Sequence, residues 1–160
     1  MRPASAAPPS AVNDFAVGQL DGFAKEFPRW MRGDTRVKND REVTPLDIRD
    51  YNMVVFGTPS TNPMIGRALV STPIRWTADS IVVGSRKYDA AHHMLSMIYP
   101  NPANRRRYVV INSGHTFHEA DFQRTNALLY PRVGDWAITD VRTGTVVAEG
   151  SFNRNWQLPQ

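Results

Sequence analysis

The chain contains no cysteine, which excludes disulfides, a thiolate nucleophile and cysteine-ligated zinc. It has no apolar run near the ~20 residues that span a bilayer, so no membrane partner is expected. The opening stretch MRPASAAPPS lacks the apolar segment of a signal peptide. Residues 1–12 read as a flexible tail, followed by a single α/β domain at 13–160. Catalytic signatures are also scarce. There is no G-x-S-x-G elbow, so the usual α/β-hydrolase nucleophile is missing. Walker A, G-x-G-x-x-G and H-E-x-x-H sequences are absent too. No repeat period is found, and no cofactor is expected.

What remains is an ordinary globular mix. The 160 residues are 41% hydrophobic and 21% charged, enough to bury one core and too apolar for whole-chain disorder. The net charge is +4. Because 15 acidic residues are interspersed with 19 basic ones, the excess does not by itself point to nucleic acid. The dense run Arg105-Arg106-Arg107 reads as a solvated turn, and no nucleic-acid partner is expected.

Periodicity gives the elements. Leu20, Phe23, Ala24, Phe27, Trp30 and Met31 recur at helical spacing. This predicts a helix from about Phe15, capped by Asn13 or Asp14, disturbed at Pro28 and ended at Gly33. Thr44-Pro45 predicts a short helix to about Asp50. The apolar run NMVVF (52–56) predicts a buried strand, with a Gly57-Thr58-Pro59 turn and a helix opened by Asn62-Pro63. Segments 73–76, 81–83 and 86–88 read as β structure with a Gly84-Ser85 turn, and 94–99 as a further strand. YVVIN (108–112) is a second buried strand, followed by a helix over 117–130. A last hairpin spans 136–141 and 145–149. Strands alternating with helices predict a small three-layer, Rossmann- or flavodoxin-like α/β domain with a mixed, mostly parallel sheet.

Two stretches are candidate sites. In the first, Gly57, Thr58, Ser60 and Asn62 lie between a strand's carboxyl end and a helix start, where anions are favoured. The plainer alternative is that Ser, Thr and Asn cap the helix while Gly and Pro shape the turn. In the second, Ser113, Gly114 and His115 follow the other strong strand. His115, His118, Glu119 and Asp121 place two histidines and two carboxylates within seven residues, a chemistry suited to acid–base work or a metal. His115, His118 and Asp121 are the catalytic candidates, with His115 and His118 as weak metal ligands. Against this, H-x-x-H across a loop-to-helix junction has no fixed geometry, and no third ligand is indicated. No metal is therefore expected. His92 and His93, as neighbours on a strand, would point to opposite faces.

These stretches resemble a bacterial family. Val54 to Pro59 with Asn62 is similar to "LFGDPxSN". Pro73-Ile74-Arg75-Trp76 with Ile81 to Gly84 is similar to "LPIRW…VGG", and Ile98 to Pro102 with Asn104 to "IYPNPLN". Tyr108 to Phe122, then Arg124 to Pro131 and Gly134-Asp135-Trp136, is similar to "YVVLNSGHTFHEADFRGTNALLYPRLGDW". The family is the C-terminal region of exported proteins whose other part is a prolyl-oligopeptidase-like serine hydrolase. The likeness runs from about residue 13 to 158, and the block at 108–136 is its specific part. It departs at Thr58, where the family often has Asp, and at Ser85, where it often has Gly.

The resemblance implies an accessory or docking domain, non-catalytic alone, with a hydrolase domain as partner in cis or in trans and an exported context. It carries over no catalytic triad. Two other readings stand beside it. One is a module that binds a small anionic ligand at the paired turns 57–62 and 113–118. The other is an independent hydrolase using the His115/His118 cluster.

Overall fold

A computed structural model describes residues 10–113 and 134–159. The first helix, α1, runs over Ala11–Met31. Its cap is Ser10, whose Oγ accepts the Asn13 N–H at 3.1 Å, and not Asn13 or Asp14. The chain therefore enters the fold by Ser10, because Val12 and Ala16, one turn apart, already lie in the core with Leu20. Pro28 stays inside the helix. It removes one backbone donor in the last turn without ending it. The left-handed cap falls on Arg32 (φ 53°) instead of Gly33.

Helix α2 is Pro45–Asp50. The Thr44 hydroxyl accepts the Asp47 N–H, and the Asp47 carboxylate accepts the Thr44 N–H at 2.8 Å, the reciprocal box expected of this spacing. Strand β1 is Met53–Val55, and α3, Pro63–Leu69, starts at the Asn62 cap. Strands β2 (Ile74–Trp76), β3 (Ser80–Val83) and β4 (Arg86–Asp89) form a separate antiparallel sheet. Strands β5 (His93–Pro100), β6 (Tyr108–Ile111), β7 (Trp136–Asp140) and β8 (Thr145–Gly150) join β1 in a five-stranded sheet, ordered β1-β6-β5-β7-β8.

The fold is mixed α/β and the larger sheet is mixed, but its balance reverses the expected one. Among the described residues only β1 and β6 run parallel, whereas β6–β5, β5–β7 and β7–β8 are antiparallel. The reason is the length of the connections. A turn closed by Asn101 N–H to the Arg107 carbonyl at 2.8 Å returns β5 directly into β6. A turn at 141–144 does the same for β7 and β8. Links this short permit only antiparallel neighbours.

One buried cluster joins both sheets and two helices. Val12 and Ala16 of α1 and Ile65 and Ala68 of α3 belong to it. So do Val55, Leu95, Ile111 and Ile138 of the large sheet and Ile74 and Ile81 of the small one. Each fully buried aliphatic side chain contributes roughly 1.5–3 kcal/mol. No helix among the described residues is long and apolar enough to cross a membrane.

Candidate functional site

Because β1 and β6 are parallel neighbours, Asn112 at the carboxyl end of β6 lies beside the turn that follows β1. The ladder extends past the strands when the Asn112 N–H donates to the Val55 carbonyl at 2.8 Å. Asn112 then adopts φ 48°, the left-handed region that asparagine tolerates better than most residues. This turns its side chain across the gap onto Gly57. Its Oδ1 accepts the Gly57 N–H at 2.8 Å, and its Nδ2 donates to the Gly57 carbonyl at 2.8 Å and the Leu95 carbonyl at 3.1 Å. Ser96 Oγ donates to the Asn112 carbonyl at 3.0 Å, so every polar atom of Asn112 is engaged.

The Gly57–Asn62 turn is equally closed. Asn62 is fully buried. Its Oδ1 caps α3 through the Met64 N–H at 3.1 Å, and its Nδ2 donates to the Phe56 carbonyl at 3.0 Å. The Thr58 N–H donates to Thr61 Oγ1 at 2.8 Å, and the Thr58 and Ser60 hydroxyls share a bond at 2.8 Å. The Thr61 and Asn62 N–H groups both donate to the Thr58 carbonyl. Pro59 and Pro63 have no N–H to offer. The N–H groups of Gly57, Thr58, Thr61 and Asn62 are thus spent within the protein, and Gly57, Thr58, Ser60 and Asn62 shape a turn. Ser113 is half-buried just beyond Asn112. Gly114, His115, His118 and Asp121 lie outside the described residues.

A second polar cluster gathers where β4, β5 and β7 meet. His92 sits in the turn, not on the strand, so the two adjacent histidines do not diverge as strand neighbours would. Both reach Asp89: His92 Nδ1 meets the carboxylate at 2.5 Å and His93 Nδ1 the backbone carbonyl at 2.9 Å. The Ala91 N–H, then His92, hold the Asp89 carboxyl below its ordinary range. Beside it, the Asp140 carboxylate accepts from Arg142 Nε and Nη2, one edge of the guanidinium, at 3.0 and 2.6 Å. No group of three or more potential metal ligands occurs among the described residues.

An apolar cleft of about 610 Å³ opens between α1, the 34–38 segment and β1, with Leu20, Phe23, Met53 and Phe56 in its lining. Two of the cationic side chains at its rim are engaged. Lys38 Nζ meets both Asp47 oxygens at 2.8 Å. Arg36 donates to the Tyr51 hydroxyl at 2.7 Å and lies 5.2 Å from that ring's centroid.

Asn112 is the organising residue that sequence reasoning passed over, taking it only as the end of a strand. The available signal was an asparagine directly after a buried run and before Ser-Gly, where left-handed backbone is common. In comparisons with known proteins, no family model, no curated protein and no solved structure matches the chain.

Proposed function

We propose that this chain is a non-catalytic accessory domain that docks onto a prolyl-oligopeptidase-like serine hydrolase, in cis or in trans. The observation that carries the reading is the closure of the turn after β1 by Asn112 at the end of β6. The groups best placed to bind a small ligand at the sheet's carboxyl end are used to hold Gly57, Asn62 and Asn112 together. A domain whose strand ends are knitted in this way serves as a rigid body that presents its surfaces. The resemblance of the 108–136 block and the missing nucleophile elbow support the same partner. The parallel β1–β6 pair, with α3 following β1, supports taking the core as Rossmann-like, with helices layered on the sheet.

The parallel pairing of β1 and β6 favours an anion-binding module at their carboxyl ends as a second reading, but the Gly57 N–H there is already taken by Asn112. The test is ester turnover. The chain alone should leave an activated ester unhydrolysed, and His118→Ala should change nothing. When added to the hydrolase domain, it should raise that domain's melting temperature. Turnover by the chain alone that is lost in His118→Ala would replace this reading with an independent hydrolase.

A further inference from the structure

Two arginines of the triplet read from sequence as a solvated turn, Arg106 and Arg107, form one wall of a built groove. The turn is fixed from within. Asn101, 4% exposed, accepts the Ala103 N–H on its Oδ1 at 3.0 Å, and the Asn104 carbonyl accepts the Arg107 N–H at 2.9 Å. It is fixed from outside as well. Asn104 Nδ2 donates to the Ile48 and Arg49 carbonyls at 3.1 Å each, and Arg107 Nε donates to the Arg49 carbonyl at 3.3 Å. The turn therefore caps the last carbonyls of α2 and holds its arginines against that helix.

Between them lies an open depression of about 800 Å³ lined by Arg49, Arg106 and Arg107, with Pro45, Ile48 and Ala103 as its apolar part. Arg49 is neutralised by Asp50 through two bonds at 2.7 and 2.9 Å. Arg106 has no ion pair among the described residues, its backbone N–H alone being engaged, by Asn104 Oδ1 at 3.2 Å. Of the Arg107 guanidinium only Nε has a hydrogen-bond partner, and its charge is also felt by Asp50. Two guanidinium groups are left to face the groove, each a planar fork suited to a carboxylate.

We propose that this groove binds an acidic peptide segment of a partner protein, with carboxylates on Arg106 and Arg107 and an aliphatic side chain on Ile48 and Pro45. Charge complementarity selects the acid, and the apolar floor selects a peptide over a nucleic-acid backbone. The proposal does not depend on the partner being a hydrolase.

The test is fluorescence anisotropy of the full chain with a labelled peptide of alternating glutamate and leucine. Its glutamine counterpart and a single-stranded oligonucleotide serve as competitors at the same salt. The glutamate peptide should bind and the glutamine peptide should not. Arg106→Glu with Arg107→Glu should weaken binding by roughly tenfold or more, the weight of one charge-assisted pair. Arg86→Glu, the same charge change on β4, should alter it by less than about twofold, as screening of remote charges requires. Arg106→Ala alone leaves the turn's bonds intact and should still weaken binding by roughly threefold or more. Equal losses in the Arg106/Arg107 and Arg86 variants, an oligonucleotide that outcompetes the peptide, or no binding would each overturn the proposal.

Discussion

Asn112 and Gly57 form a two-point clamp across the carboxyl ends of β6 and β1, with the asparagine amide accepting from the Gly57 N–H and donating to the Gly57 carbonyl at 2.8 Å each. The clamp works because Asn112 takes a left-handed backbone, which points its amide toward the neighbouring turn instead of along the strand.

Asn112→Ala should therefore destabilise the fold by about 3 kcal/mol or more, since it orphans buried groups of Gly57 and Leu95 and puts an unsuited residue at positive φ. Asn112→Gly relieves the backbone but not the lost bonds, and should be less damaging by about 1 kcal/mol. Urea denaturation of the two variants measures both differences. Equal stability of all three proteins would show that the clamp is dispensable.

Gly150→Ala tests the packing of the hairpin that ends the sheet. A methyl at Gly150 would stand 2.7 Å from Cζ2 of Trp136, which is buried between β5 and β8. The indole must move, so the substitution should cost about 1–3 kcal/mol. A red shift in tryptophan emission would accompany the loss if the ring is displaced toward water. An unshifted spectrum with full stability would contradict the contact.

The pH dependence follows from Asp140 and Asp47. Arg142, by its side chain and then its backbone N–H, holds the Asp140 carboxyl well below the ordinary value of 3.8. Lys38, then the Thr44 backbone and hydroxyl, do the same for Asp47. A carboxylate with a depressed folded value stabilises the fold above its unfolded value, and that stability is lost as pH falls through the folded one. Asp140→Asn should therefore melt below the parent protein at neutral pH. The gap should narrow as pH drops below about 4. A gap that stays constant down to pH ~2 would show that the ion pair is not its source.

Much of the local structure was legible. Thr44-Pro45, Asn62-Pro63, the Gly84 hairpin and the two valine-rich runs each carry their own chemistry, and each produced the element it implied. What could not be read was long-range pairing. An apolar run such as 108–112 looks the same whether its neighbour is parallel or antiparallel, so β5 between β6 and β7 was not foreseen. The candidate turn suffered in the same way. Thr58, Ser60 and Asn62 look equally fit for an anion or for a cap, and the choice rests on Asn112, which is 55 residues from Gly57. The arginine run looked like a surface turn until Asn104 tied it to α2.

The central claim is that this chain acts by docking onto a serine hydrolase, and sedimentation velocity of the chain mixed with a prolyl-oligopeptidase-like hydrolase domain tests it most directly. The account predicts a new species that sediments faster than either component and takes up both. Two boundaries that sediment independently, unchanged from those of the separate proteins at every mixing ratio, would contradict it.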